Sequence, residues 1–587
     1  MSDKNSPTLE AKRHSLAHIL AQAMLDMFPE TKLGVGPAIE NGFYYDFELP
    51  RTLIPEDLPI LEKKMKHIIK QNQKFTSEMK SAEEAIEFLK EINQPYKVEL
   101  AAGFKEEGVD ELSFHKNGPF VDLCRGGHIE STNQISIGTF KLDKIAGAYW
   151  KGDETRPMLQ RIYGLAFETK QDLEAYLQRM KEAEKRDHRK LGKELDLFTF
   201  SELVGPGLPL WTPRGTLMRH LLDEFVWELR KERGYQRVTI PHITKKELYE
   251  TSGHWQKFKD DLFKVQLREG HEFAMKPMNC PHHTQIYSHL QRSYKDLPQR
   301  YAETTMIYRD EQTGELHGLS RVRSITQDDA HVFCRPTQVK DEFLKAWEII
   351  EIFYEKTGFG DLQVRLSLHD PENFEKYLGT PELWQGAEDS LREIACEKGV
   401  DFVEAKGEAA FYGPKVDFMA KDSIGREWQV ATIQLDLNMP ERFDLFCIDE
   451  NGEQERIVMV HAAIMGSLER FMSVLIEHHA GAFPSWLAPT QVALVPVASA
   501  HEAYAQTLRE SLKGAEVRVE LMTAEDSLGK RIRTAEKQKI PYMLVLGDKE
   551  QGESAVTVRR YGKQEQETVK FEKFLDELKV EIGERRA

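Results

Sequence analysis

The stretch Tyr308-Arg309-Asp310-Glu311-Gln312-Thr313-Gly314-Glu315-Leu316-His317-Gly318-Leu319-Ser320-Arg321-Val322-Arg323-Ser324-Ile325-Thr326-Gln327-Asp328-Asp329-Ala330-His331 is rich in arginine and closes on a histidine. Planar guanidinium forks grip phosphate oxygens bidentately, so the arginines suit a phosphate-bearing substrate. His331 has two counterparts far away in the chain, in Met278-Asn279-Cys280-Pro281 and Val460-His461-Ala462-Ala463. One thiolate and two imidazoles make a plausible three-ligand zinc set with a fourth position open, the catalytic rather than the structural arrangement. The ligands are 51 and 130 residues apart, which fits no zinc finger, so folding must bring them together.

Working outward, Arg309-Asp310-Glu311 matches the Arg-x-Glu of motif 2 of the class II aminoacyl-tRNA synthetases, and Gly466-Ser467-Leu468-Glu469-Arg470 matches motif 3. With Cys280, His331 and His461 added, the chain resembles the threonyl-tRNA synthetase family over nearly its whole length. The resemblance implies that Arg309 holds the α-phosphate of ATP, Glu311 the adenine amino group and Arg321 the terminal phosphates, with Mg²⁺ accompanying ATP. Arg470 would cover the adenine and pair with phosphate. The family has an aromatic residue two before Gln327; Ile325 stands there, offering an apolar face without ring stacking.

Zinc, one per subunit, would select the amino acid. An apolar pocket rejects an added hydroxyl only about a hundredfold, whereas a metal with an open position can take an amine and a neighbouring hydroxyl together. That device accepts threonine and refuses valine, but it cannot exclude serine. The resemblance places Asp329 at the substrate hydroxyl and Gln327, Tyr412, Gln429, Thr432 and Gln434 around the pocket. His254, in Ser252-Gly253-His254-Trp255, matches a histidine implicated in transfer to tRNA.

Near the N-terminus, His14-Ser15-Leu16-Ala17-His18 puts two imidazoles one helical turn apart on one face. Cys124-Arg125-Gly126-Gly127-His128 repeats the spacing. A His-Glu-x-x-His metalloprotease would need Glu where Ser15 stands. The pairs resemble the editing domain of bacterial threonyl-tRNA synthetases, which hydrolyses mischarged seryl-tRNA; Asp122 matches a further site residue and Gly127 replaces the usual Pro. A site without metal is expected, the histidines positioning water and accepting its proton. Thirteen residues precede His14, too few for the family's ubiquitin-like extension, which is expected to be missing.

The bulk numbers agree with this picture. The chain has 587 residues, 40% hydrophobic and 30% charged, which describes a soluble globular protein of three or four domains. No apolar run reaches the ~18 residues of a membrane span, and the start leads into no signal-peptide core. Five cysteines without a Cys-x-x-Cys pair favour a reducing cytoplasm over a disulfide framework. The net charge of −17 does not exclude RNA, because phosphate contacts depend on local patches. The chain after Leu487 is charge-balanced.

The fold expected is a multidomain α+β chain. It comprises an N-terminal α+β editing domain (1–166), a solvated linker helix (167–192), a class II catalytic domain with an antiparallel sheet and flanking helices (193–486), and a C-terminal α/β anticodon-binding domain (487–587). An amphipathic helix Thr216 to Arg233, then a strand-like Tyr235 to Ile240 ending at Pro241, resembles motif 1, the family's dimer interface, and implies a homodimer. In the last domain, short apolar strands at Val492 to Val497 and Tyr542 to Leu546 alternate with helices at Ala500 to Leu512 and Gly529 to Lys537. Glu550 and Arg559 match anticodon-contacting positions. The partners implied are tRNA(Thr), ATP and threonine. Two other classes compete: an idle RNA-binding regulatory relative, which intact Arg309, Arg470, Cys280, His331 and His461 oppose, and a zinc-dependent hydrolase, which leaves most of the chain unexplained.

Overall fold

The computed structural model describes residues 7–360 and 362–587. The chain divides into two compact units, Met1–Lys181 and Glu182–Ala587.

In the first unit, helix Leu9–Leu25 starts where the Thr8 hydroxyl accepts the Ala11 N–H at 3.2 Å, an N-cap. Its residues from Ser15 to Met24 are all buried, so it is a core helix rather than a surface one. It packs with Phe43, Tyr45 and Phe47 of strand Gly42–Glu48, which pairs antiparallel with Met158–Ala166. A smaller antiparallel sheet joins Phe75–Ser81, Glu111–Asn117 and Phe120–Leu123. The last two strands form a hairpin through Gly118, whose φ of +56° is left-handed, and its register sets Asp122 opposite His115.

The linker differs from a single solvated helix. Helix Lys170–Arg186 is mostly exposed, but the chain restarts at His188 as a second helix, His188–Glu194, capped by Asp187. His188, Leu191 and Gly192 are buried. Charge alternation described the first helix well; the second is held by tertiary contacts that local charge does not report.

Among the described residues, the second unit is built on an eight-stranded sheet, in the order Gln236–Arg237, Gln299–Tyr308, Ser324–Cys334, Val458–Ser467, Glu427–Asp436, Lys415–Lys421, Gln363–Leu368, Phe402–Lys406. Pairing is antiparallel except at the two outermost pairs. Helices Pro213–Glu232, Val339–Lys356 and Leu468–His478 contribute Leu222, Phe225, Trp347, Phe353, Phe471 and Leu475 to its main core. The strand expected from Tyr235 to Ile240 is only Gln236–Arg237, since Val238 and Ile240 instead bond back to the sheet edge through single N–H groups.

The C-terminal sheet runs Val519–Leu521, Val492–Pro496, Tyr542–Leu546, Ala555–Arg560, Gln566–Lys570. The first three strands are parallel, as the alternation with helices predicts; the last two add an antiparallel hairpin. Across the described residues no helix is long and apolar enough to cross a membrane.

Candidate functional site

Side chains alternate across a strand, so Gln327, Asp329 and His331 share one face of Ser324–Cys334. The register then places His331 opposite His461, and His461 opposite Gln434. One row over, Asp329 lies opposite Ala463, itself opposite Thr432. Gln429 would face away from Thr432 in a regular strand, but a register shift at Phe418/Met419 turns it back, and its Nε2 donates to Asp417 at 2.7 Å.

Cys280 opens helix Cys280–Ser288 beneath this face. Its Sγ and one nitrogen each of His331 and His461 lie within 4.8 Å of one another, and all three residues are buried. His331 Nε2 is 3.1 Å from His461 Nδ1. The other nitrogen of each imidazole is occupied: His461 Nε2 meets Asp436 Oδ2 at 2.9 Å, and His331 Nδ1 meets His283 Nδ1 at 2.7 Å. Such outer partners fix tautomer and orientation in metal-binding histidines. Burial pushes the Cys280 thiol up and the His331 imidazolium well down. The neutral His331 imidazole can coordinate through a lone pair, whereas the thiol would ionise only beside a cation. The residues fit a zinc ion in donor type, burial and outer support.

Around this trio, Asp329 is buried, accepts from Asn279 Nδ2 at 3.0 Å, and has its carboxyl pushed up by burial. Tyr412 stacks on His461 with ring centroids 5.3 Å apart, and Gln434 Nε2 donates to the Gly413 carbonyl at 3.2 Å. Gln327 Oε1, Thr432 Oγ1, Asn279 Oδ1 and Arg309 Nε are buried without a hydrogen-bond partner among the described residues. Buried polar atoms without partners point to a polar ligand. His254 is buried, with Nδ1 2.8 Å from Ser252 Oγ and Nε2 4.0 Å from Cys280 Sγ; burial lowers its pKa to about 3, so it is neutral.

The arginines divide into two groups. Arg309 lies over the Phe258 ring at 5.3 Å, and among the described residues its guanidinium donates only to Met278 Sδ, at 3.2 Å. Arg470, near the start of helix Leu468–His478, makes no ion pair among the described residues. Arg321 is engaged by Glu311 and by Glu315, the latter at 2.8 Å. Ile325, opposite Ile307 on the same strand face as Gln327, is half-buried.

The first unit holds a second Cys/His group, with His14, His18, Cys124 and His128 presenting ligand atoms within 4.8 Å of one another. Cys124 Sγ is 3.2 Å from His14 Nε2 and 3.3 Å from His128 Nε2. Burial lowers His14 and His18 and takes His128 to about 3, while it lifts Cys124 to about 11, so imidazoles and thiol are all neutral. Asp122 binds the Tyr45 hydroxyl at 2.5 Å and Lys97 Nζ at 2.6 Å, and is 3.8 Å from His18 Nε2. His14, His18, Asp122, Cys124 and Lys97 line a cavity of about 970 Å³. Gly126 and Gly127 have φ of +94° and +83°. A proline cannot adopt the latter, so the loop follows a path that the family's usual residue would forbid.

In the C-terminal domain, Glu550, on the short helix Asp548–Glu553, accepts from Gly547 N–H at 2.9 Å and from the Thr557 hydroxyl at 2.7 Å. Arg559, but not Glu550, lines a cleft of about 520 Å³ with Arg560 and Lys563.

Sequence reading missed Asn279, His283, Asp436, Tyr45, Lys97 and Ser15, whose Oγ lies 3.2 Å from His128 Nδ1. His283 had a local signal: it follows Cys280 by three residues on one helix. Asp436 continues the alternation Thr432, Gln434. Lys97 had none.

The antiparallel sheet, with Arg309 and Arg470 on its strand and helix ends, defines a class II aminoacyl-tRNA synthetase core. Family comparison agrees: residues 263–479 match the tRNA synthetase class II core domain (G, H, P, S and T), 491–581 the anticodon binding domain, and 113–163 the threonyl and alanyl tRNA synthetase second additional domain. The chain is 47% identical over 581 residues to a threonine–tRNA ligase of Gloeobacter violaceus, covering 98% of this chain and 92% of that one. It is 47% identical over 577 residues to that of Cytophaga hutchinsonii, covering 98% and 89%. The crystal structure of the RNA binding domain of threonyl-tRNA synthetase from Cryptosporidium parvum superposes with a TM-score of 0.64 at 35% identity, over 67% of this chain and 98% of that one. The chain belongs to the threonine–tRNA ligase family.

Proposed function

We propose that this chain activates threonine with ATP, esterifies it to the 3′ end of tRNA(Thr), and hydrolyses mischarged seryl-tRNA(Thr) at its N-terminal cluster. The observation that carries the reading is the buried row of Cys280, His331 and His461 beside Asp329, surrounded by unpartnered polar atoms. Cys280 Sγ, His331 Nε2 and His461 Nδ1 would hold zinc, which supplies an open Lewis-acidic position for amine and hydroxyl. Asp329 then accepts the threonine hydroxyl proton bond, and Gln327, Tyr412, Gln429, Thr432 and Gln434 bound the pocket.

Arg309, without a carboxylate partner among the described residues, is placed to take the α-phosphate; Arg321 must exchange Glu311 and Glu315 for the terminal phosphates of Mg²⁺-ATP. Once Arg321 leaves, Glu311 is available to the adenine amino group, with Ile325 against the base and Arg470 across it. Neutral His254 serves the transfer step by accepting a hydrogen bond or proton. At the N-terminal site, neutral His14, His18 and His128 can accept a proton from attacking water, with Asp122 and Cys124 shaping the cavity; no metal is needed.

Glu550 and Arg559 would read the anticodon. The boundaries 1–166, 167–192, 193–486 and 487–587, a homodimer through helix Pro213–Glu232 and a cytoplasmic setting complete the proposal. Amino-acid-dependent pyrophosphate exchange tests it: threonine should give the dominant signal and serine a weaker one. Dominant exchange with any other amino acid refutes the reading.

A further inference from the structure

We propose that His188 is a positioning residue for the nucleotide step, tying the Gln312-to-Ser320 loop to the helix that carries Arg470. This rests on the reading of Arg321 and Arg470 as phosphate-binding groups. His188 opens the short helix after the linker and is buried. Its Nδ1 lies 2.6 Å from Glu477 Oε1, and its own backbone N–H donates to the same oxygen at 3.1 Å. Its Nε2 lies 3.0 Å from the Leu319 backbone nitrogen and accepts that N–H.

The backbone N–H can only donate, so Nε2 must be the bare nitrogen and Nδ1 must carry the proton toward Glu477. Both ring nitrogens are thereby committed. Asp187, His188 and Glu477 lie close enough together to hold a metal, but no lone pair of the ring is left for one, and the group reads as a clamp.

The clamp has one end on each phosphate-binding segment. Glu477 is one residue from the end of helix Leu468–His478, near whose start Arg470 sits. Leu319 is two residues before Arg321, fully buried, and followed by the strand that bears Gln327 and Asp329. Glu477 is braced in turn by Arg426, whose Nε is 2.6 Å from Asp422 Oδ2. The neighbouring Gly318 has φ +51°, and a Cβ there would fall 2.2 Å from His188 Nε2, so the loop approaches the ring as closely as a glycine permits. Such fixing of the loop's rear end leaves Glu311, Glu315 and Arg321 as the part that rearranges around ATP. Positioning of this kind acts on nucleotide binding and leaves the zinc-side pocket alone.

Two near-isosteric variants separate the bonds. His188→Gln keeps an acceptor near Nε2 for Leu319; His188→Asn keeps only a partner for Glu477. In threonine-dependent pyrophosphate exchange, His188→Asn should raise the ATP KM about five- to tenfold, the worth of one buried hydrogen bond, with the threonine KM and melting midpoint near wild type. His188→Gln should restore most of the ATP KM. An unchanged ATP KM in His188→Asn, equal rises for ATP and threonine, or a folded His188→Gln as impaired as His188→Asn would each overturn the proposal. If His188→Asn does not fold, Gly318→Ala presses on the same contact from the loop and should give the same split; a wild-type ATP KM there overturns it. Absent exchange by the wild-type chain would refute the underlying synthetase reading instead, which is a distinct outcome.

Discussion

At the N-terminal group, Cys124 and His14 line an open cavity of about 970 Å³, whereas Cys280, His331 and His461 are buried between the catalytic sheet and helix Cys280–Ser288. The residue types are nearly the same; the surroundings differ. Asp436 faces the far nitrogen of His461 at 2.9 Å, and His283 that of His331 at 2.7 Å. At the N-terminal group Asp122 is spent on Lys97 and Tyr45, and its 3.8 Å to His18 is too long for a hydrogen bond. His18 Nδ1 has no hydrogen-bond partner among the described residues. Ligands backed by a carboxylate favour a resident ion; neutral imidazoles without one, beside a large cavity, favour water and a bulky substrate. In the proposed function the second layer, more than the ligand list, separates the candidate metal site from the candidate hydrolytic one.

The largest effect that bears on this contrast comes from removing the N-terminal imidazoles. His14→Ala/His18→Ala should slow seryl-tRNA hydrolysis about a hundredfold or more, the usual range for lost general-base catalysis, and leave threonine charging near normal. Single-turnover deacylation of seryl-tRNA(Thr) measures it. Unchanged hydrolysis by a folded double variant would end the editing assignment.

Smaller, and on the other side of the comparison, Asp436→Asn should weaken zinc affinity about ten- to a hundredfold through the orientation of His461. Chelator competition reads the change, and wild-type affinity would mean that the backing carboxylate is idle.

The smallest effect is on acid stability. His128 titrates at about 3 in the fold against an ordinary 6.5, so between those values the unfolded chain binds more protons. Its contribution is complete above about 6.5 and is lost as pH falls toward 3. His14 and His18 are shifted the same way. Thermal melts should show the transition of the first unit falling by a few degrees from neutral pH to about pH 5, and His128→Phe should flatten that slope. An unchanged slope would show that the imidazole is not neutral in the fold.

The legible parts of the sites were those encoded by local periodicity. His14 and His18 share a helix face because they are four apart, and Gln327, Asp329 and His331 share a strand face because they are two apart. Cys280 and His283 carried a similar signal that passed unread. The rest depends on tertiary register. Gln429 comes to the same face as Thr432 through a bulge, and Lys97 reaches Asp122 from a helix 25 residues upstream in the chain. The pairing of Arg321 with Glu311 and Glu315 forms only when the loop folds back on itself. In the fold, the apolar strands Val492–Pro496 and Tyr542–Leu546 were plain, but Gln566–Lys570 escaped because its Gln-Glu-Thr-Val-Lys has no apolar run.

The most direct test of the contrast is the zinc content of two cysteine variants, by metal analysis of protein purified without chelator and by X-ray absorption at the zinc edge. Wild type should hold one zinc per chain with one sulfur and two nitrogen ligands from the protein; Cys280→Ser should lose it along with threonine-dependent exchange, and Cys124→Ser should keep both. Zinc retained by Cys280→Ser, or lost from Cys124→Ser, would contradict the account.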